Sequence, residues 1–557
     1  MRWIGLTIFV LLIQGCASYG KQTEQVFNLV EQGQWDQAES ALADNLDKDD
    51  KDRLLYRLEL GTLKHLQGDF EASNRQLEQA KQLAEVLYTT SVSEEFKVLL
   101  TNPRQRVYRA QDFERLFIEY LQTLNYIALA ENADSSAPLQ QARIMGRQIE
   151  IILDDLAAQR DSYQQMRDKQ DSFSARLMSV FRALNGDVFD RSAYELRDDA
   201  WLRYLTGLVY EQLGELNEAR VAYQQAAELY EQGYAQQYGL DETIQHQAWF
   251  DTLRIMKQQG VWQNEWPQLA QQKLAPEWQQ KLESWSQDMA ELVVIDHQGW
   301  IPKREEMNAV LLVNEQTRNM EVYPIVTGEG EQALAQQIWF YLMYTDKGLG
   351  RLALNVYQDD LRGYIRGSFS KTLYLAPIWN EVQALGLDQA AKTPLRVTIP
   401  YYNLLDLYRP AALSLQMNNQ GSETLILAES PAMMAVQSQL VAANEDFYAA
   451  LARAMIKRRS VQQVTQGNDL LRFVGDLATS ATEAAETRNW QTLPANISIG
   501  RYWLTPGEFQ AQLSDGRHVV TRLNAGEKYI WLVSRKAGQL TSLNVELQSV
   551  SNRGETK

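Results

Sequence analysis

The chain has 557 residues, a net charge of −17 and a single cysteine. That length can bury several cores, at about 150 residues to a domain. The acidic balance, with no long basic stretch, excludes a nucleic-acid binder, which needs a basic face against phosphate. It also excludes a protein held on anionic lipid by charge alone, and one cysteine excludes both a disulfide framework and a cysteine-based metal site.

The chain opens as an export signal. Met1-Arg2 is a short positive start, and Ile4 to Ile13 is an apolar run too short to cross a bilayer. Ile13-Gln14-Gly15-Cys16 follows, with a branched apolar residue, a small residue and then the thiol. This is the lipobox of bacterial lipoproteins, in which the sulfur takes a diacylglycerol before cleavage. Residues 1–15 are therefore expected to leave, and Cys16 to carry the lipid. Ala17 follows where Asp would favour inner-membrane retention, so the expected place is the outer membrane, facing the periplasm. No later stretch has the apolar length of a spanning helix.

Residues 16–290 read as helical hairpins. Gly33-Gln-Trp35-Asp-Gln-Ala38 is echoed by Gly61 … Gly68-Asp-Phe70-Glu-Ala-Ser73, and again by Gly207 … Tyr210 … Gly214-Glu-Leu216-Asn-Glu-Ala219 … Ala226. Gly61 and Gly207 fall where two helices cross closely. Gly33, Gly68 and Gly214 fall at helix ends, and Trp35, Phe70 and Leu216 fill the turns. Ala38, Ser73 and Ala219 let the second helix approach the first. The first two copies stand near the tetratricopeptide period, which makes a solenoid the expected architecture. Phe113, Phe117, Tyr120, Leu121, Leu124 and Ile127 have the spacing of one helix, and Pro138 starts another. Trp249, Trp262, Trp266, Trp278 and Trp285 are expected to pack helix on helix.

The pattern changes near residue 291. Leu292–Ile295, Ala309–Val313, Thr372–Leu375, Leu395–Ile399 and Thr424–Leu427 read as strands. The expected order is an α+β region over 291–431, a helical block over 432–490, a small C-terminal β-sheet or sandwich over 491–550, and a disordered tail over 551–557. The fold class is thus α+β multidomain.

Chemistry-bearing motifs are few. His65, His246, His297 and His518 are far apart, with no His-Glu-x-x-His, and neither a phosphate-binding loop nor a nucleophile elbow is present. Ser368-Phe-Ser-Lys371 fits the Ser-x-x-Lys nucleophile motif, but its companion motifs are absent and Lys371 runs into a strand. No catalytic residue, cofactor site or metal site is therefore expected. Lys457-Arg458-Arg459 reads as a solvated helix end.

Several segments together resemble a family of uncharacterised tetratricopeptide-repeat outer-membrane lipoproteins of Gram-negative bacteria. They are Tyr108-Arg109 … Asp112-Phe113-Glu114-Arg115, Trp201 to Tyr223, Gly299-Trp-Ile-Pro302-Lys303, and Arg488-Asn-Trp490-Gln-Thr-Leu493-Pro494-Ala495. The chain departs from that pattern around Ala128 to Ala142, where Asn132 to Pro138 makes a longer loop. The resemblance implies no catalytic residues and, by association, a link to peptidoglycan synthesis. Read from its own residues, the Arg488–Ala495 stretch is a rigid joint, with Trp490 and Leu493 buried, Pro494 stopping the helices and Arg488 pairing across the junction. Two functions stand open. One is a scaffold whose concave helical face binds a periplasmic or outer-membrane protein. The other is an envelope enzyme, or a glycan- or lipid-binding module, with its site in residues 291–550.

Overall fold

The computed structural model describes residues 19–88, 103–130, 133, 135–167, 195–327, 329–344, 371–404, 407, 413–417, 422–465, 484–514, 518–535, 543–544 and 548–550. Cys16, Ser368 and the tail over 551–557 lie outside the described residues. Helices fill the N-terminal part and small sheets the C-terminal part.

The first helices are α1 (Tyr19–Glu31), α2 (Trp35–Leu46), α3 (Arg53–Gln67), α4 (Phe70–Tyr88), α5 (Asp112–Ala130) and α6 (Ala137–Arg167). Then come α7 (Ala200–Gln212), α8 (Leu216–Leu229), α9 (Ile244–Gln259), α10 (Trp266–Lys273) and α11 (Pro276–Ser284). Consecutive helices pair as hairpins, α1 with α2, α3 with α4 and α7 with α8. The small residues explain the close pairing. A Cβ on Gly61 would stand 2.7 Å from the Leu77 side chain, and one on Gly207 would stand 2.7 Å from the Tyr223 ring. Ala219 and Ala226 on α8 are fully buried, as is Ala38 on α2, and Tyr210 on α7 is buried too. Gly68 and Gly214 close their helices at φ +82° and +76°, where a side chain would be strained, and Gly33 does so at +70°. Trp35 and Phe70 begin the second helix of their hairpins.

The strands form three sheets. The largest has the order β13-β12-β1-β9-β8, built from β1 (Ala290–Gln298), β8 (Ile426–Glu429), β9 (Asn496–Leu504), β12 (Lys528–Arg535) and β13 (Leu543–Asn544), with β14 (Gln548–Val550) also on β12. Strand β1 runs antiparallel to β9 and parallel to β12. The second sheet joins β6 (Ser414–Met417) and β7 (Ser422–Thr424) to β10 (Gly507–Leu513) and β11 (His518–Leu523). The third is β4-β3-β2-β5, from β2 (Arg304–Asn314), β3 (Asn319–Ile325), β4 (Lys371–Tyr374) and β5 (Leu395–Tyr402). Helices α12 (Glu331–Tyr344), α13 (Trp379–Leu385) and α14 (Pro431–Thr465) follow, besides the one-turn helices Ala235–Tyr238 and Leu387–Ala390.

Three expectations need correction. The strands after residue 491 do not close into a sheet of their own, because β9 and β12 flank β1 and β10 pairs with β6. The apolar residues of β1 supply the reason. Both of its faces are buried, so it needs a neighbour on each side and a layer on each face. Val293 and Ile295 face the large core shared with the helices, while Leu292 and Val294 face a second core shared with Leu415, Phe509 and Tyr502. The helical block also ends sooner than expected, since residues 484–490 have no regular structure. Arg458 is not simply solvated, for it donates to the carbonyls of Ala390 (2.6 Å) and Pro394 (2.9 Å) ahead of β5.

Candidate functional site

The Arg488–Pro494 stretch lies across the helices. Trp490 is wholly buried, and its indole N–H donates to Thr62 Oγ1 at 2.9 Å. Two buried acids hold the stretch by its main chain. Glu59 on α3 accepts from the amides of Gln491 (2.8 Å) and Thr492 (3.1 Å) and from the Tyr19 hydroxyl (2.7 Å). Glu114 on α5 accepts from the Trp490 amide (3.0 Å), the Gln111 amide (2.8 Å) and the Tyr108 hydroxyl (2.6 Å). Arg488 pairs with Asp52 at 2.6 Å and donates to the carbonyls of Pro103 and Arg106. The Leu493 carbonyl accepts from the Ile301 amide at 3.0 Å. Burial pushes the Glu59 carboxyl up to about 7 against the lowering pull of its hydrogen bonds, and it raises Glu114 as well. Arg488, Trp490 and Leu493 are thus placed together at a joint between the first helices and the sheets. Sequence reading missed Glu59 and Glu114 as its anchors. Their signal was an acid set on an otherwise apolar helix face, between Leu58 and Thr62 in one case and beside Phe113 in the other.

A second polar centre lies between α7–α9 and the largest sheet. Arg501 of β9, with a fully buried side chain, reaches Glu211 (2.6 Å), Glu291 (2.6 Å) and Asp251 (3.2 Å). Arg254 pairs with Glu211 at 2.7 Å, and Lys528 with Glu211 at 2.8 Å. Tyr204 donates to Asp251 at 2.5 Å and Tyr223 to Glu211 at 2.8 Å. Three cations therefore face three carboxylates. Burial alone would raise the Glu211 carboxyl, but Arg254, Arg501 and Lys528 outweigh it and hold it well below the usual range. Every group in this set is committed to another, which is how a protein can bury charge.

Beside Arg501 opens a cleft of about 200 Å³, walled by Phe250, Trp278, Trp285 and Trp503, with Lys281 and Glu423 among its lining residues. Trp278 and Trp285, expected only to pack helices, also face this space. Elsewhere Asp199 caps α7 by accepting from the Leu202 amide at 2.8 Å, and burial raises its carboxyl to about 7. Burial and the Asp199 charge raise Glu429 well above its ordinary range, while the Tyr234 hydroxyl donates to it at 2.6 Å.

The histidines are less dispersed than their numbers suggest. His65 and His297 stand 6.1 Å apart between ring centroids; His65 bonds Asn125, and His297 bonds the Tyr120 hydroxyl at 2.6 Å. Burial lowers both, His297 to about 3, so both rings are neutral at pH 7. Among the described residues no group of three or more His, Cys, Asp or Glu could hold a metal ion, and no helix is long and apolar enough to cross a membrane. Lys371 begins β4. No family model, curated protein or solved structure matches the chain.

Proposed function

We propose that this chain is a scaffold of the bacterial envelope, anchored to the outer membrane by a lipid on Cys16, facing the periplasm, and binding envelope proteins through a tetratricopeptide-type helical array. One observation carries the reading. The helices hold an irregular segment of chain, residues 488–493, which turns at 491–493, by its main-chain amides, with buried acids as acceptors. That is a way of gripping peptide, realised here within one molecule. The repeated glycine–large residue crossings, Gly61 on Leu77 and Gly207 on Tyr223, support the repeat assignment. Because the chain's own segment fills this surface, a partner docks outside it. The link to peptidoglycan synthesis rests on the resemblance alone.

The anchor sits close to the body. Tyr19, three residues after Cys16, is already buried and bonded to Glu59. Cys16→Ala is expected to move the protein from the membrane to the soluble fraction, and persistence in the membrane fraction would refute the anchor. In-cell crosslinking of a tagged copy is expected to recover an envelope protein. Recovery of nothing above an untagged control would refute the scaffold. A second reading, a glycan-binding module, is favoured by the aromatic cleft.

A further inference from the structure

We propose that the cleft beside Arg501 binds a pyranose unit of an uncharged glycan. The site arises where three elements stop short of one another. Strand β8 covers β9 only along Ile497–Ile499, while β1 covers it along its whole length. The amide of Glu291 donates to Glu527, so alternate residues of β1 turn toward β9, and Tyr502 turns to meet Leu292. The main-chain groups of Arg501 and Trp503 consequently point the other way, past the end of β8. Among the described residues no strand pairs with them there. Helix α11 and Trp285 close the far side, so the gap becomes a cleft rather than an open edge.

Its walls are aromatic, from Phe250, Trp278, Trp285 and Trp503, and its rim is polar. At the rim, Lys281 and Glu423 pair at 3.2 Å with both side chains about half exposed (49% and 45%), and the Ser284 hydroxyl lies one helical turn further on.

The charges select the ligand class. Lys281 already lies 5.0 Å over Trp278, Arg254 lies 5.5 Å over Trp285, and Arg501 lies 5.3 Å over Trp503. A cationic ligand would meet these cations at close range. An anion would meet Glu423 and find the Arg501 guanidinium committed to three carboxylates. A purely apolar side chain would fit the walls and leave the polar rim of Lys281, Glu423 and Ser284 without a partner. A sugar ring presents C–H faces to the indoles and hydroxyls to the polar atoms, the mixture that an apolar cleft with a few placed polar groups selects.

The test is calorimetric titration of the mature chain with chitotetraose, maltotetraose and cellotetraose, followed in parallel by tryptophan fluorescence. At least one is expected to saturate with a dissociation constant of about 1 mM or tighter. Trp285→Phe narrows the aromatic wall and should weaken binding about tenfold. Lys281→Ala and Glu423→Gln, at exposed positions, should weaken it while leaving thermal unfolding unchanged. The proposal is overturned if no tetrasaccharide binds at about ten times the expected constant, or if binding ignores all three substitutions. It is equally overturned if the tripeptide acetyl-Val-Trp-Val-amide or tetramethylammonium binds in place of the sugars. The crosslinking experiment reads a different surface, so failure here leaves the scaffold reading intact.

Discussion

Replacing Glu59 by Gln tests whether the joint is held by a proton-binding carboxyl. Glu59 is fully buried and its carboxyl is raised from 4.5 to about 7. The folded chain therefore keeps this proton over a range in which the unfolded chain has lost it. The wild type loses the corresponding stability as pH rises from 4.5 through 7, about 3 kcal/mol in all at about 1.4 kcal/mol per unit. Gln does not titrate and loses none of it. Gln has a direct cost, because its NH2 would face the Thr492 amide or the Gln491 amide and Tyr19 hydroxyl, leaving one or two buried donors unpaired at about 1–3 kcal/mol each. The variant should thus be the less stable protein at pH 5, and the gap should shrink by about 2.5 kcal/mol between pH 5 and pH 8. Urea unfolding of both proteins across that range, with the lipid absent from each, measures the gap directly; other buried carboxyls titrate equally in both and cancel. A gap that stays constant, or widens with pH, would refute the reasoning. It would mean that the three donors hold Glu59 as an anion.

The ion core gives a sharper loss. Arg501→Met leaves Glu211, Asp251 and Glu291 short of a cation and should destabilise by about 3–5 kcal/mol in denaturant unfolding. Arg501→Lys should fail to restore it, since one ammonium cannot span three carboxylates. Gly207→Ala should cost about 1–3 kcal/mol by overpacking. Gly61→Ala should cost less, because Leu77 can turn aside while the Tyr223 ring is tied to Glu211 and Arg501. Equal thermal shifts for the two glycine variants would contradict that ordering.

What could be read from the sequence was local in cause. A turn glycine, a large residue and an alanine within six positions mark a hairpin, because that contact is made between neighbouring helices. Strands β1, β2, β4, β5 and β8 were visible as short apolar or alternating runs, and residues 491–550 as β-structure in general. Strands β3 and β6 were not, since Asn319–Ile325 carries Pro324 and β6 is only four residues long. Partner choice has no local signal. The placement of β12 parallel to β1 depends on contacts between residues more than two hundred positions apart. The same holds for the ion core, whose six charges come from α7, α9, β1, β9 and β12 and read singly as ordinary surface residues. Sequence did carry one hint, in that Glu291 stands inside the apolar run of β1 and Glu59 inside that of α3.

These buried charges also bear on how the chain finds its arrangement. An apolar face tolerates several registers, whereas Arg501 satisfies Glu211, Asp251 and Glu291 only if β9 lies beside β1 and both lie under α7 and α9. A one-residue slip of β9 would turn Arg501 into the second core, among Leu415, Phe509 and Tyr529, and leave three acids buried without it. The cost of that error exceeds any gain in apolar contact, since an uncompensated buried charge costs about 3–5 kcal/mol. The same register sets Trp503 on the helix side, where its indole joins Phe250, Trp278 and Trp285 in walling the cleft. The ion core is therefore the support of the candidate sugar site. Arg501→Met should abolish sugar binding even at low denaturant, where most molecules remain folded.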